Sequence, residues 1–485
     1  MNPSADQPQP RARARPRLDL TRGSIAGHLL RLAIPSALTN LMSYSTTLVD
    51  MIWLGRVSPT AIAAVALYNY FWFLFALLNM VIGNGSVALI SRTYGAGQLE
   101  HCRRVFGQTF MFKLIVAVVV AAIGLFGQHW AYRIFGAEEK VVGPAAVYGT
   151  ILFAATPLLF STFTLKTGFR AIGDMRNLFY ISLATMMINL VLDPFLIFPR
   201  VHIGPLPWLG LDSPLILPGV GLGIAGAAWG TVTAFGIVFT VALLYFFNGW
   251  TFLRIRPRHF LNLSWDTARR IIRIGLPPAT ANFIEHVANL LVGAAIITYG
   301  TSVFAGQGVS QILKRLLRVT VMGINISVIT LVGQNLGARN ARRAELSALC
   351  GYGVVAALML LIGGLFFAAA PWIARLFVPG TDAESLATAD WVVRILRINA
   401  FVMLPFGLYR IGRSAFQGSG DTRPALYATL LAVLVVQLPL TLGGVYLLRL
   451  EDPRFIWWTE AGAYAAGAVL LYFVFRLGHW KRHRV

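Results

Sequence analysis

The chain has 485 residues, 57% of them hydrophobic and 12% charged, with a mean hydropathy of +0.67. A soluble globular domain carries roughly twice that charged share, and barrel strands would alternate apolar with polar residues, so the composition leaves a helical multi-span membrane protein. The formal net charge of +22 sits in basic clusters between apolar runs, which is the loop pattern of a membrane protein and excludes a nucleic-acid partner.

In chain order, residues 1–24 form a Pro- and Arg-rich basic tail, expected to be disordered and lacking the apolar core of a cleaved signal peptide. Twelve apolar spans follow, near 26–54, 60–88, 106–128, 145–168, 177–199, 222–247, 270–297, 302–333, 347–371, 388–413, 424–448 and 458–476. With the N-terminus placed inside, Lys and Arg number 27 in the loops of that side and 7 in the loops opposite, so both termini are expected in the cytoplasm of an inner (plasma) membrane. Cys102 and Cys350 lie near the inner ends and are expected as inert thiols.

An internal repeat divides the spans. LLRLAIPSALTN at 29–40 matches IIRIGLPPATAN at 271–282, an offset of 242; Gly95-Ala96 matches Gly337-Ala338 at the same offset. Gly173-Asp174 matches Gly420-Asp421 at an offset of 247. Each half holds an even number of spans, so both halves enter from one side and a pseudo-twofold axis along the membrane normal is expected. The organisation is then an N-lobe (25–247), a basic inner linker (248–269), a C-lobe (270–477) and a basic tail (478–485) that includes His483. The fold class is an all-α polytopic membrane protein of two six-helix lobes, and two complete lobes make a functional monomer sufficient.

Charges inside spans are the chemistry-bearing residues, because each is costly unless a partner or pathway uses it. Asp50 on span 1 and Asp193 on span 5 fall at similar depth, and Asn189 shares a helix face with Asp193 four residues on. Two carboxyls in a low-dielectric site tend to hold one proton between them, because desolvation and mutual repulsion both oppose full ionisation. The plainer alternatives are a helix-end carboxylate for each acid and an interhelical hydrogen bond for Asn189. Glu285 on span 7 matches Lys314 on span 8 in depth; Lys314 shares a face with Arg318, and Arg315 adjoins it. Glu285 is expected to pair with Lys314 or Arg318. Lys166 and Arg413 occupy equivalent repeat positions near inner ends and are expected to snorkel to headgroups, with the inward mouth as the alternative. The Gly-Asp-x-Arg loops at 173–176 and 420–423 read as tight turns with Asp capping the next helix. Phe71, Trp72, Phe73 and Phe75 could form an aromatic cavity wall. No nucleotide loop, metal-spaced cluster or catalytic constellation appears, so neither an enzyme nor a cofactor is expected.

Twelve spans in two halves, LLRLAIP before the first core, Gly-Ala in the second loop and Gly-Asp-x-Arg before the fifth span together resemble the multidrug and toxic compound extrusion (MATE) transporters, over about residues 25–477. The resemblance implies a V-shaped antiporter that expels small-molecule drugs, organic cations above all, in exchange for H⁺ or alternatively Na⁺ at the Asp50/Asp193 site. Asp50 with Asn189 and Asp193 is similar to the DNA-damage-inducible (DinF-like) branch, and family position adds Tyr148 and Thr231 as cavity partners. Glu285 resembles the span-7 acid of the Na⁺-coupled branch, but span 10 lacks that branch's carboxylate. The alternative function is a flippase for a lipid-linked saccharide or anionic membrane lipid, which Lys314, Arg315 and Arg318 would suit.

Overall fold

Long apolar stretches with no water to satisfy their backbone must close their hydrogen bonds internally, and helix is the simplest way. A computed structural model describes residues 19–204, 215–251, 253–260 and 264–481, and these are almost wholly helical. The first half contains α1 (Ile25–Val57), α2 (Pro59–Gly95), α3 (Leu99–Ile134), α4 (Glu139–Ala154), α5 (Thr156–Ile172), α6 (Met175–Ile197) and α7 (Ile224–Asn248). The second contains α8 (Trp265–Ile297), α9 (Thr301–Gly337), α10 (Ala341–Phe377), α11 (Ala383–Ser419), α12 (Arg423–Leu447) and α13 (Arg454–Leu477). Among the described residues, ten helices are long and apolar enough to cross a membrane, eleven spans with α4 and α5 taken together across their 55° bend. Thr156-Pro157 opens α5, and the proline ring breaks the hydrogen-bond ladder there. The twelfth span, α1, falls below that apolar threshold because its outer half carries Ser, Thr and Asp50.

Local chemistry sets the ends. Ser58 accepts from the Ala61 N–H while Pro59 takes the first helical position of α2. Gly173 adopts φ +80° and Asp174 then caps α6 by accepting from the Asn177 N–H, as expected of that loop. Its repeat differs: Gly420 has φ +82°, but Thr422, not Asp421, stands at the N-cap position of α12 and makes no side-chain cap. A short antiparallel hairpin, Arg200–Ile203 with Leu215–Pro218, lies between α6 and α7, where the apolar pattern alone predicts only a loop.

Residues 1–18 and 482–485, which include most of the expected disordered tail and His483, lie outside the described residues. Residues 19–24, assigned to that tail, are instead ordered: Leu20 is buried, its carbonyl accepts from Asn335, and Arg343 donates to the Gly23 carbonyl at 2.8 Å. Both cysteines are free thiols, Cys102 buried and Cys350 half-buried.

The halves meet through α1 with α9 and α2 with α8 and α9. Glycine makes this possible. A Cβ on Gly95 would overlap the Gln334 carbonyl, and one on Gly337 would overlap the Arg92 carbonyl, so the repeat-related glycines lean on each other's helices across a pseudo-twofold. Gly85 and Gly275 do the same between α2 and α8, and Gly323 takes Ala33 and Ala37 of α1. The contacts run from Ala37 and Phe73 towards the ends that bear the basic loops, with Phe73 stacked on His286 at 4.2 Å. Toward the opposite ends, Leu48 and Ile52 of α1 are about half exposed.

Candidate functional site: two buried charge clusters

The outer half of α1 and of α6 bring Asp50 and Asp193 within electrostatic reach of each other, as their matched depth predicts. Asn189 stands one turn before Asp193 and donates from Nδ2 to Asp193 Oδ1 at 3.0 Å. Asp193 is fully buried and Asn189 nearly so, while Asp50 is half-buried. Gly230 on α7 leaves room for this: Asp193 Oδ1 lies where a Cβ would stand. Tyr148 on α4 is buried, electrostatically coupled to both acids and packed edge-on against Tyr68 at 5.1 Å. Thr231 is half-buried next to Gly230 and makes no hydrogen bond among the described residues.

Asp50 Oδ1, Asp193 Oδ2 and Asn189 Oδ1 are buried acceptors without a donor. Three such oxygens beside two mutually repelling carboxyls suit a shared proton or one small hard cation. No group of three His, Cys, Asp or Glu able to hold a metal ion occurs among the described residues.

The second half overturns the expected pairing. Glu285 does not meet Lys314. Its carboxylate is held by Arg413, by Arg410 at 3.3 Å and by the Tyr409 hydroxyl at 3.1 Å, all on α11. Arg413 also donates to Asn282 at 2.9 Å, and Tyr409 exchanges a 2.7 Å hydrogen bond with Thr429. Lys314 pairs instead with Glu460 on α13 at 2.7 Å. Arg318 lines the same small cavity as Lys314, Glu460 and Tyr464, and its charge bears on Glu285 without a hydrogen bond; Arg315 is exposed. Equal depth on two helices says nothing about their rotation, and α9 turns Lys314 towards α13. The signal for the true partners was present: Arg410 and Arg413 are charges on an apolar span, which demand a counter-charge.

Two further expectations are corrected. Lys166 and Arg413 do not snorkel: Arg413 binds Glu285, and Lys166 is buried with its ammonium 5.2 Å from the Phe235 ring centre. The span-2 aromatics pack as core, with Phe71, Trp72 and Phe75 around Phe153, and only Phe73 reaches the other lobe.

The MatE family pattern matches residues 35–195 and 277–442, one match in each half. A probable multidrug resistance protein of Bacillus subtilis, YoeA, is 27% identical over 459 residues, 93% of either chain. A FAD transporter of Shewanella oneidensis is 24% identical, covering 86% of this chain and 88% of that one. Among solved structures, an outward-facing multidrug resistance MATE family transporter superposes with a TM-score of 0.82 at 22% identity, over 96% of this chain and 98% of that one. The twelve-helix, two-lobe fold and the paired family match together make this chain a member of the MatE family of multi-pass membrane transporters.

Proposed function

We propose that the chain is a proton-coupled exporter of small organic compounds, sited in the inner membrane with both termini in the cytoplasm and coupled through Asp50, Asn189 and Asp193 as in the DinF-like branch. The buried cluster of Asp193, Asn189 and the neighbouring Asp50, with three acceptor oxygens that lack a donor, carries the reading. With the basic loops inside, the interlobe glycine contacts lie towards the cytoplasmic side, and the acid pair lies in the outer half of its lobe, nearer the compartment that supplies protons during export.

Proton arrival removes the repulsion between the acids and relaxes α1 against α6; deprotonation on the inner side restores it. α1 is built to bend. Pro35 interrupts its ladder, and Ser43, Thr46 and Thr47 return hydrogen bonds to the carbonyls of Thr39, Met42 and Ser43, which loosens a helix. The names of relatives, multidrug resistance proteins and a FAD transporter, support export of compounds with apolar or aromatic bodies. The flippase alternative loses Lys314 to Glu460.

The test uses purified protein in liposomes, a pH or a Na⁺ gradient in turn, and two dyes of opposite charge, ethidium and carboxyfluorescein. Movement of either dye driven by the pH gradient and lost in Asp50→Asn supports the proposal. Movement driven only by Na⁺ replaces the coupling ion. Neither dye moving, or Asp50→Asn moving them as wild type does, overturns it.

A further inference from the structure

The N-lobe holds three cations that the coupling reaction does not use. Lys113 on α3 is 2% exposed and Lys166 on α5 is 8% exposed. Arg170 lies one turn beyond Lys166 on α5, and its charge bears on both lysines. None of the three has a carboxylate partner among the described residues, and Arg170 Nε is a buried donor without an acceptor. A buried cation without a counter-charge is costly, and the interior corrects it by releasing a proton or by admitting an anion.

The other lobe indicates which. Arg413 is the repeat equivalent of Lys166, and there Glu285 supplies the missing carboxylate. The first-half position corresponding to Glu285, at the offset of 242, is Ser43, whose hydroxyl is turned back to its own helix. At this repeat position one lobe carries cation and acid, and the other carries a cation with no acid beside it. Arg170, half-buried with its Nε enclosed, keeps its charge, so release of protons by the two lysines would still leave one cation in the cluster.

The location suits loading from the basic-loop side. The Arg170 and Ala171 carbonyls accept from Thr330 and Gln334 of α9, each at 3.1 Å, so the end of α5 that bears Lys166 and Arg170 belongs to the basic-loop side and packs against the interlobe seal. Phe163, 37% exposed on α5, and Phe235 stand beside Lys166 in edge contact at 5.7 Å, giving an aromatic wall next to the charges.

We propose that Lys113, Lys166 and Arg170 form an anion site that takes the carboxylate or phosphate group of the exported compound, whose apolar body lies on Phe163 and Phe235. The proposal rests on the export reading and replaces the cationic substrate implied by the family resemblance with an organic anion or zwitterion.

Carboxyfluorescein binding to the full chain in phosphatidylcholine nanodiscs, read by fluorescence polarisation, tests it. Saturable binding is expected, weakened at least tenfold in Lys166→Gln and in Lys113→Gln/Lys166→Gln and retained in Lys166→Arg, with thermal unfolding confirming that each variant is folded. Asp50→Asn should bind carboxyfluorescein as wild type does while losing pH-driven transport, which separates this site from the coupling reading. No saturable binding by wild type, or equal binding by folded Lys166→Gln, overturns the site. Binding that disappears when phosphatidylglycerol replaces phosphatidylcholine, and returns in Lys166→Arg only without it, gives the site to a lipid headgroup and overturns the substrate assignment.

Discussion

Replacing Gly323 with Ala tests how the lobes are held. Gly323 lies on α9 where α1 passes beside Pro35, and a new Cβ would stand 2.5 Å from the Ala33 carbonyl oxygen, 2.8 Å from Ala37 Cβ and 2.8 Å from the Ala37 nitrogen. Ordinary contact begins near 3.4 Å, so α1 must withdraw by close to 1 Å, and the atoms in the way are backbone and an alanine Cβ, which no rotamer change can move. Overpacking of this kind costs about 1–3 kcal/mol. That cost falls on the state closed at the basic-loop side and not on one in which the lobes have parted there. At about 1.4 kcal/mol per decade, the ratio of parted to closed molecules should rise by roughly 5- to 150-fold. Nitroxide labels at His101 and Arg342, exposed at the basic-loop ends of α3 and α10, report it by pulsed dipolar spectroscopy in a Cys102→Ser/Cys350→Ser background. A second, longer distance should become populated in Gly323→Ala. An unchanged distance distribution in a folded variant would refute the view that this contact holds the closed state.

Gly230→Ala should displace the Asp193 carboxyl that occupies the Cβ position, break its contact with Asp50 and abolish pH-driven dye transport in liposomes; unimpaired coupling would mean that the acids do not act as a pair. Glu285→Gln leaves Arg413 and Arg410 in the interior without their counter-charge and should cost about 3–5 kcal/mol, read as a lower unfolding temperature in detergent, with part recovered by adding Arg413→Met. Lys314→Met should be similarly costly unless Glu460→Gln accompanies it, so the double variant is expected to unfold later than the single one. Asp382 caps α11 outside the apolar core; hydrogen bonds from the Ser385 hydroxyl and N–H hold its carboxyl below the usual carboxylate range. Such a group stabilises its helix end above the unfolded value and loses that contribution as the pH falls below about 4, so the protection of the 383–387 amides, measured as exchange relative to the intrinsic rate at each pH, should fall on acidification. Unchanged protection there would mean that the cap does not hold the helix end.

Span number and the repeat were legible in the sequence because they depend on continuous properties, apolar length and charge bias, that survive errors of a few residues at each end. The Asp50–Asn189–Asp193 site was legible for a related reason: Asn189 and Asp193 share a face by helix periodicity alone, and one charge on a neighbouring span at equal depth has few other places to go. The second half defeated the same logic. Four cations and two acids, Lys314, Arg318, Arg410, Arg413, Glu285 and Glu460, offer several neutral pairings at compatible depths, and long flexible side chains reach any of them.

By itself, then, the amino-acid sequence determined that this chain crosses the membrane as two repeated halves and that each half carries charge at depth, since hydropathy and helix period act along the chain. Which charge meets which was decided by the rotation of each helix about its own axis and by the approach of the lobes at their glycines. Those are packing variables, set by contacts between residues as far apart as Lys314 and Glu460, and tertiary structure alone left Lys166 without the acid that Arg413 possesses.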